Sequence, residues 1–164
     1  TDFSIQLWYN NLGGTKYDFY LLSKGRYNAP SRSELQTGWS LFYDESSQEM
    51  VMRHGTLNSV DSPLTDGDWV SSGLKNIAVV SDRSSNVKFY LNGVLVTTYA
   101  LATTSYDVSS DRYLLVGGAQ TSNSTSAVVD ELNGYMGHIL VYSTLLDEDE
   151  IRQNFNAHRG IYGV

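Results

Sequence analysis

A chain of 164 residues has the usual length of one domain, and at 41% hydrophobic it can bury one substantial core. A formal charge of −7 lacks the basic footprint on which phosphate binding depends, which argues against nucleic acid and anionic membrane surfaces, and the absence of cysteine excludes disulfides, thiolate nucleophiles and thiolate zinc sites. No apolar run approaches the roughly 18 residues that would span a bilayer, and the first residues lack the basic-then-apolar order of a leader. The expectation is one domain over residues 1–164 that inserts into no membrane.

In chain order, Phe3, Ile5, Leu7 and Tyr9 alternate with Ser4, Gln6 and Trp8, the period-two pattern of a strand with two different faces. Strand-like runs follow at Tyr17–Leu22, Trp39–Tyr43, Met50–Arg53, Ile77–Ser81, Val87–Leu91, Val94–Tyr99, Tyr113–Val116 and Met136–Tyr142. Gly, Ser, Asn and Asp separate them. Short strands broken by turn residues predict antiparallel meanders in two packed sheets, an all-β sandwich. The sharpest local signal is Val87–Tyr99, two β-rich runs joined by Asn92-Gly93, whose residues tolerate the positive φ angles of a type I′ turn.

Loops are expected at Lys24–Gly38, Gly55–Gly73, Ala102–Arg112 and Gln120–Asn133. One segment reads as a short C-terminal helix. Asp147 is its N-cap, Glu148, Asp149 and Glu150 suit the positive end of the dipole, and Gly160 follows the basic residues Arg152, His158 and Arg159. Ile151 and Phe155 form a narrow apolar stripe that must dock on a sheet or an adjoining domain, because so short a helix does not hold by itself in water.

The motifs, in this order, resemble the laminin-G-like, concanavalin A-like lectin/glucanase superfamily, in the form found in bacterial, environmental and viral proteins. Phe3-Ser-Ile-Gln-Leu-Trp8 resembles the family's first strand, Leu21-Leu-Ser-Lys-Gly25 its second, and Asn76–Val80 with Phe89–Gly93 its central hairpin. The end is more specific: Leu132–Tyr142, then Leu145–Ile151 and Asn154, resembles the last strand and closing helix. The resemblance implies a two-sheet jelly roll.

Glucanases of this fold carry a Glu-x-Asp-x-x-Glu pattern, in which one carboxylate attacks the sugar and another protonates the leaving group. No Glu here is followed two positions later by Asp, and Glu148 and Glu150 fall where a helix start favours negative charge anyway. His54, His138 and His158 lie in separate elements without a nucleophile elbow or zinc-protease motif; His138 reads as a sheet-face residue and His158 as a dipole partner. The resemblance implies a calcium ion at the sandwich rim, with Asp130 as one ligand and Glu131 assisting; Asn28 and Glu34 are the donors of the partner loop. Sugar recognition requires an exposed aromatic face with amide or carboxylate partners, for which Tyr27, Trp39, Tyr106 and Asn123 are the candidates.

The expected function is therefore non-catalytic recognition or adhesion, with glycans or a glycosylated or protein surface as partner, at a cell surface, outside the cell or on a virion. A virion structural component, as a capsid decoration or tail-fibre attachment domain contacting other virion proteins, is the alternative. A glycoside hydrolase is disfavoured by the missing motif.

Overall fold

A computed structural model describes residues 2–12, 18–27, 35–54, 58–61, 73–101, 108–110, 112–120 and 128–164. These residues form twelve strands and one helix: β1 (Phe3–Asn11), β2 (Phe19–Tyr27), β3 (Leu35–Asp44), β4 (Glu49–His54), β5 (Asn58–Asp61), β6 (Lys75–Asp82), β7 (Asn86–Leu91), β8 (Val94–Ala100), β9 (Leu115–Val116), β10 (Ala119–Gln120), β11 (Val128–Val129), β12 (Gly134–Tyr142) and α1 (Glu148–Tyr162). All pairings are antiparallel. The residues group into two compact units, neither of them a single stretch of chain: residues 1–12, 72–105 and 134–164 form the first, and residues 13–71 and 106–133 the second.

The first unit is a five-stranded sheet in the order β12-β1-β6-β7-β8, with α1 on one face. The alternation predicted for β1 decides which side chains meet the helix. Ser4, Gln6 and Trp8 lie on the helix side, and Ile5 and Leu7 on the other, where they are fully buried with Ile77, Val79, Val87 and Phe89. On the helix side, Ile151 packs with Ala78, Val80, Tyr90 and Leu146. Trp8 stacks on Phe155 at 5.4 Å between ring centroids and meets Tyr162 at 4.7 Å. Polar bonds fix the dock: the Gln6 side-chain amide donates to the Ile151 carbonyl at 3.1 Å, and the Asn154 amide donates to the Gln6 side-chain oxygen at 3.1 Å. The hairpin at Asn92-Gly93 forms as predicted, with both residues at positive φ, and Phe155 lies against Gly93.

The helix begins as the sequence requires. Asp147 accepts from the Glu150 backbone N–H at 2.8 Å while the Glu150 side chain accepts from the Asp147 N–H at 2.9 Å, a reciprocal capping box. Its end differs from the expectation at Gly160. The helix continues through Gly160 to Tyr162 and stops at Gly163, which takes the left-handed conformation. The reason is tertiary: Tyr162 is held on Trp8 and β12, and this outweighs the weak helix propensity of one internal glycine.

The second unit is a five-stranded sheet in the order β5-β4-β3-β2-β9, with the two-stranded ribbon β10-β11. Tyr20 and Phe42 stack at 4.7 Å, and with Val51 and Ala119 they form a buried cluster closed by Val129. The Arg53 guanidinium lies 4.6 Å over the Phe42 ring, a cation–π contact that covers the cluster's edge. Strands occupy parts of three segments expected as loops. β2 runs on to Tyr27 and β3 begins at Leu35, because Gly25 and Gly38 here serve close pairing rather than a break: a Cβ on Gly38 would lie 1.7 Å from the Lys24 carbonyl oxygen. β5 falls within the expected Gly55–Gly73 loop, and β11 within Gln120–Asn133. No helix among the described residues is long and apolar enough to cross a membrane.

Candidate functional site

At one edge of the second unit, two short stretches are tied together. The stretch 112–118 lies along β2: the Lys24 ammonium donates to the Arg112 carbonyl at 3.0 Å, the Gly117 N–H donates to the Leu21 carbonyl at 2.9 Å, and the Ser23 hydroxyl donates to the Gly118 carbonyl at 2.9 Å. The stretch 128–132 is fastened to the same strand, with the Tyr20 N–H donating to the Asp130 carbonyl at 3.0 Å and the Leu132 N–H donating to the Gly117 carbonyl at 2.9 Å. Asp130 turns the chain at φ 50, a conformation Asp tolerates better than most residues. Gly118 makes the approach possible, since a Cβ there would meet Val128 at 2.6 Å and Glu131 at 3.8 Å.

The surface that results is open and mixed. Tyr113 is 76% exposed, Val116 54% and Val128 45%, and Glu131, also exposed, has its Cγ near the same Gly118 that Val128 covers. An exposed phenol ring, aliphatic flanks and a carboxylate are the groups that stack on the apolar side of a sugar ring and hydrogen-bond its hydroxyls. β9 is an edge strand whose ladder in this sheet is made with β2.

Of the residues chosen from sequence, Asp130 and Glu131 stand on this rim. Trp39 does not supply a platform: in the middle of β3, between Lys24 and His54 across the ladder, it is 7% exposed, and its ring belongs to the packing. Tyr27 ends β2 opposite Leu35, and its side chain lies outside the described residues, as do Tyr106 and Asn123 altogether. Sequence reasoning missed Tyr113 by making it the first residue of a strand-like run, Tyr113–Val116. The signal was there in Tyr113-Leu-Leu-Val116, which does not alternate and runs into Gly117-Gly118: only Leu115 and Val116 form β9, and four consecutive apolar residues at a sheet edge cannot all be covered.

A calcium ion takes about six to eight oxygens from converging groups. Among the described residues no three His, Asp or Glu side chains are grouped to hold a metal. Asn28 and Glu34 lie outside the described residues.

A family model described as the concanavalin A-like lectin/glucanases superfamily matches residues 1–152. The chain belongs to that superfamily. Among solved structures, the CBM40 of Ruminococcus gnavus IT-sialidase bound to α2,6-sialyllactose is similar at TM-score 0.68 and 18% identity, over 93% of this chain and 82% of that one. A structure of botulinum neurotoxin type C, described through its interaction with two ganglioside molecules, is similar at TM-score 0.67 and 15% identity, over 95% of this chain and 36% of that one. The binding domain of botulinum neurotoxin DC in complex with rat synaptotagmin II gives TM-score 0.64 and 13% identity, over 95% and 35%. The superfamily domain here thus spans about a third of the botulinum chains, and at these identities the likeness shows the fold: an all-β, concanavalin A-like jelly roll with one closing helix. No curated protein sequence matches the chain.

Proposed function

We propose that this superfamily member is a non-catalytic recognition module that binds glycans through the rim formed by Tyr113, Val116, Val128 and Glu131. The observation that carries the reading is Tyr113, a large aromatic side chain 76% exposed on the stretch 112–118, which is hydrogen-bonded to β2 and, through Gly117, to the chain that carries Asp130 and Glu131. Exposure of that ring costs hydrophobic stabilisation that burial would recover, so the side chain is better explained by a partner than by packing. Sialyllactose, gangliosides and synaptotagmin named with the similar structures agree with a glycan or protein partner. Without a Glu-x-Asp-x-x-Glu strand, the residues present favour holding a sugar over cleaving it.

The direct test is a glycan array that includes sialyllactose, probed with the protein and with Tyr113→Ala, each with calcium and with chelator. Loss of a stacking aromatic lowers affinity by about tenfold or more, for ~1.4 kcal/mol or more, without a change in thermal stability. Signal that Tyr113→Ala leaves intact would move the site elsewhere. Loss on chelation would assign the Asp130 and Glu131 carboxylates to calcium, and retention would leave them as hydrogen-bond acceptors. A protein surface is the second reading, favoured by the exposed Leu114 before edge strand β9, Val116 on it and Val128 on β11. A silent array combined with Tyr113-dependent capture on cell-surface protein would select it.

A further inference from the structure

We propose that the first unit carries a second sugar subsite, separate from the Tyr113 rim, in which Tyr135, Asn10 and His138 take a neutral pyranose. The alternation of β1 puts Asn10 on the same face as Ser4, Gln6 and Trp8, the face on which α1 docks. Tyr135 stands directly opposite Asn10 on the β1–β12 ladder, so the two side chains share that face with their Cβ atoms about 5 Å apart. α1 ends on Trp8, against which Phe155 and Tyr162 pack. The next row is left open, with Tyr135 64% exposed and Asn10 half-buried.

The β12 bulge adds the third group. In a regular strand residue 138 would point to the opposite face from residue 135. The extra residue at Gly137 and His138 returns His138 to the face of Tyr135, where its ring stacks on His158 of α1 with centroids 4.4 Å apart. His138 is then at most roughly 10 Å along the strand from Tyr135, within the span of a short oligosaccharide.

The groups around the Tyr135 ring are those that hold sugar hydroxyls. The Asn10 side-chain oxygen accepts from the Gly73 N–H at 3.3 Å, and among the described residues that is the side chain's one hydrogen bond, which leaves both hydrogens of its amide nitrogen to donate. The His138 ring is oriented by the Tyr162 hydroxyl, 2.7 Å from Nδ1, so Nε2 of this exposed residue has no partner among the described residues. A sugar hydroxyl both donates and accepts, and therefore satisfies Nε2 in either tautomer. The exposed ring supplies the face that stacks on the apolar side of the sugar. None of the three side chains is a carboxylate, ammonium or guanidinium, so the fit is to an uncharged sugar. One stacking ring without an ionic partner makes binding weak, with a Kd of about 1 mM.

The test is NMR titration of isotope-labelled protein with lactose, maltotriose, cellotriose and mannotriose, all uncharged, to about 10 mM, roughly ten times that Kd. At least one of them should give saturable shifts of the Asn10 side-chain amide and the Tyr135 ring signals. Tyr135→Ala should weaken that binding by about tenfold or more, whereas Tyr135→Phe, which keeps the ring, should retain it. Tyr113→Ala should leave it unchanged, so failure of the Tyr113 rim and failure of this subsite are read apart. If none of the sugars moves the Asn10 and Tyr135 signals, or if Tyr135→Ala binds as tightly as the unsubstituted protein, the subsite is overturned.

Discussion

Gly137 sits where β12 takes on an extra residue. β1 advances two residues from Leu7 to Tyr9 while β12 advances three, from Ile139 to Met136, so Gly137 and His138 together face one position. The bulge removes His138's N–H from the ladder, and the Tyr162 hydroxyl accepts it. A Cβ on Gly137 would lie 2.1 Å from that hydroxyl oxygen. Gly137→Ala should therefore destabilise the protein by about 1–3 kcal/mol in urea denaturation, the usual cost of forcing extra volume into a packed site. The cost should shrink in a Tyr162→Ala background, where the clashing partner is gone. That the missing side chain of Gly137 seats a tyrosine 25 positions later is beyond any local pattern.

Tyr90 gives a pH-dependent counterpart. Burial, then the negative charges of Glu148 and Asp147, push its hydroxyl above the ordinary 10.0. The native protein thus keeps this proton at a pH where the unfolded chain has begun to lose it, so the contribution to stability is full below pH 10 and falls as pH rises from there through the raised value. Urea melts at about pH 9 and about pH 11 should show a larger loss for the unsubstituted protein than for Tyr90→Phe, which has no such proton to lose. Equal losses would remove Tyr90 from the alkaline transition.

At the scale of elements, the closing helix shows which signals are local. Its start was legible because an N-cap and a capping box are written in four consecutive residues, Asp147 to Glu150. Asp147→Ala should cost about 1 kcal/mol, measured as a lower urea midpoint with an unchanged slope. Glu148 and Asp149 pair with Arg152 on the surface, at 2.6 and 3.2 Å, and their removal should cost less because water screens both contacts. The helix end was not legible. Gly160 looked like the stop, yet the contact that extends the helix past it joins Tyr162 to Trp8, far away in sequence.

The sheets follow the same division. β1, β6 and the β7–β8 hairpin were plain, since alternation and Asn92-Gly93 carry their own geometry. β5, β11 and the ends of β2 and β3 were hidden, because their pairing depends on partners rather than composition. Asn58–Asp61 has a single apolar side chain, and Gly25 and Gly38 read as breakers until the close approach of the two backbones explains them.

Across the whole molecule, the order of motifs was enough for the family, and the match over residues 1–152 agrees with it. The rim was legible in part. Asp130 and Glu131 were placed there by resemblance, whereas Tyr113 required the structure, because exposure is decided by what covers a strand and not by the strand's own residues. The pairing of His138 with His158 was invisible for the same reason: twenty positions apart, they meet only once α1 folds back onto β12.

The central claim, that the Tyr113 rim is where a glycan binds, is tested most directly by amide and side-chain NMR shifts during titration with the strongest glycan from the array. The account predicts saturable changes centred on Tyr113, Val116, Val128 and Glu131, with no release of cleaved sugar. Changes centred on other residues, or a hydrolysed glycan in the tube, would contradict it.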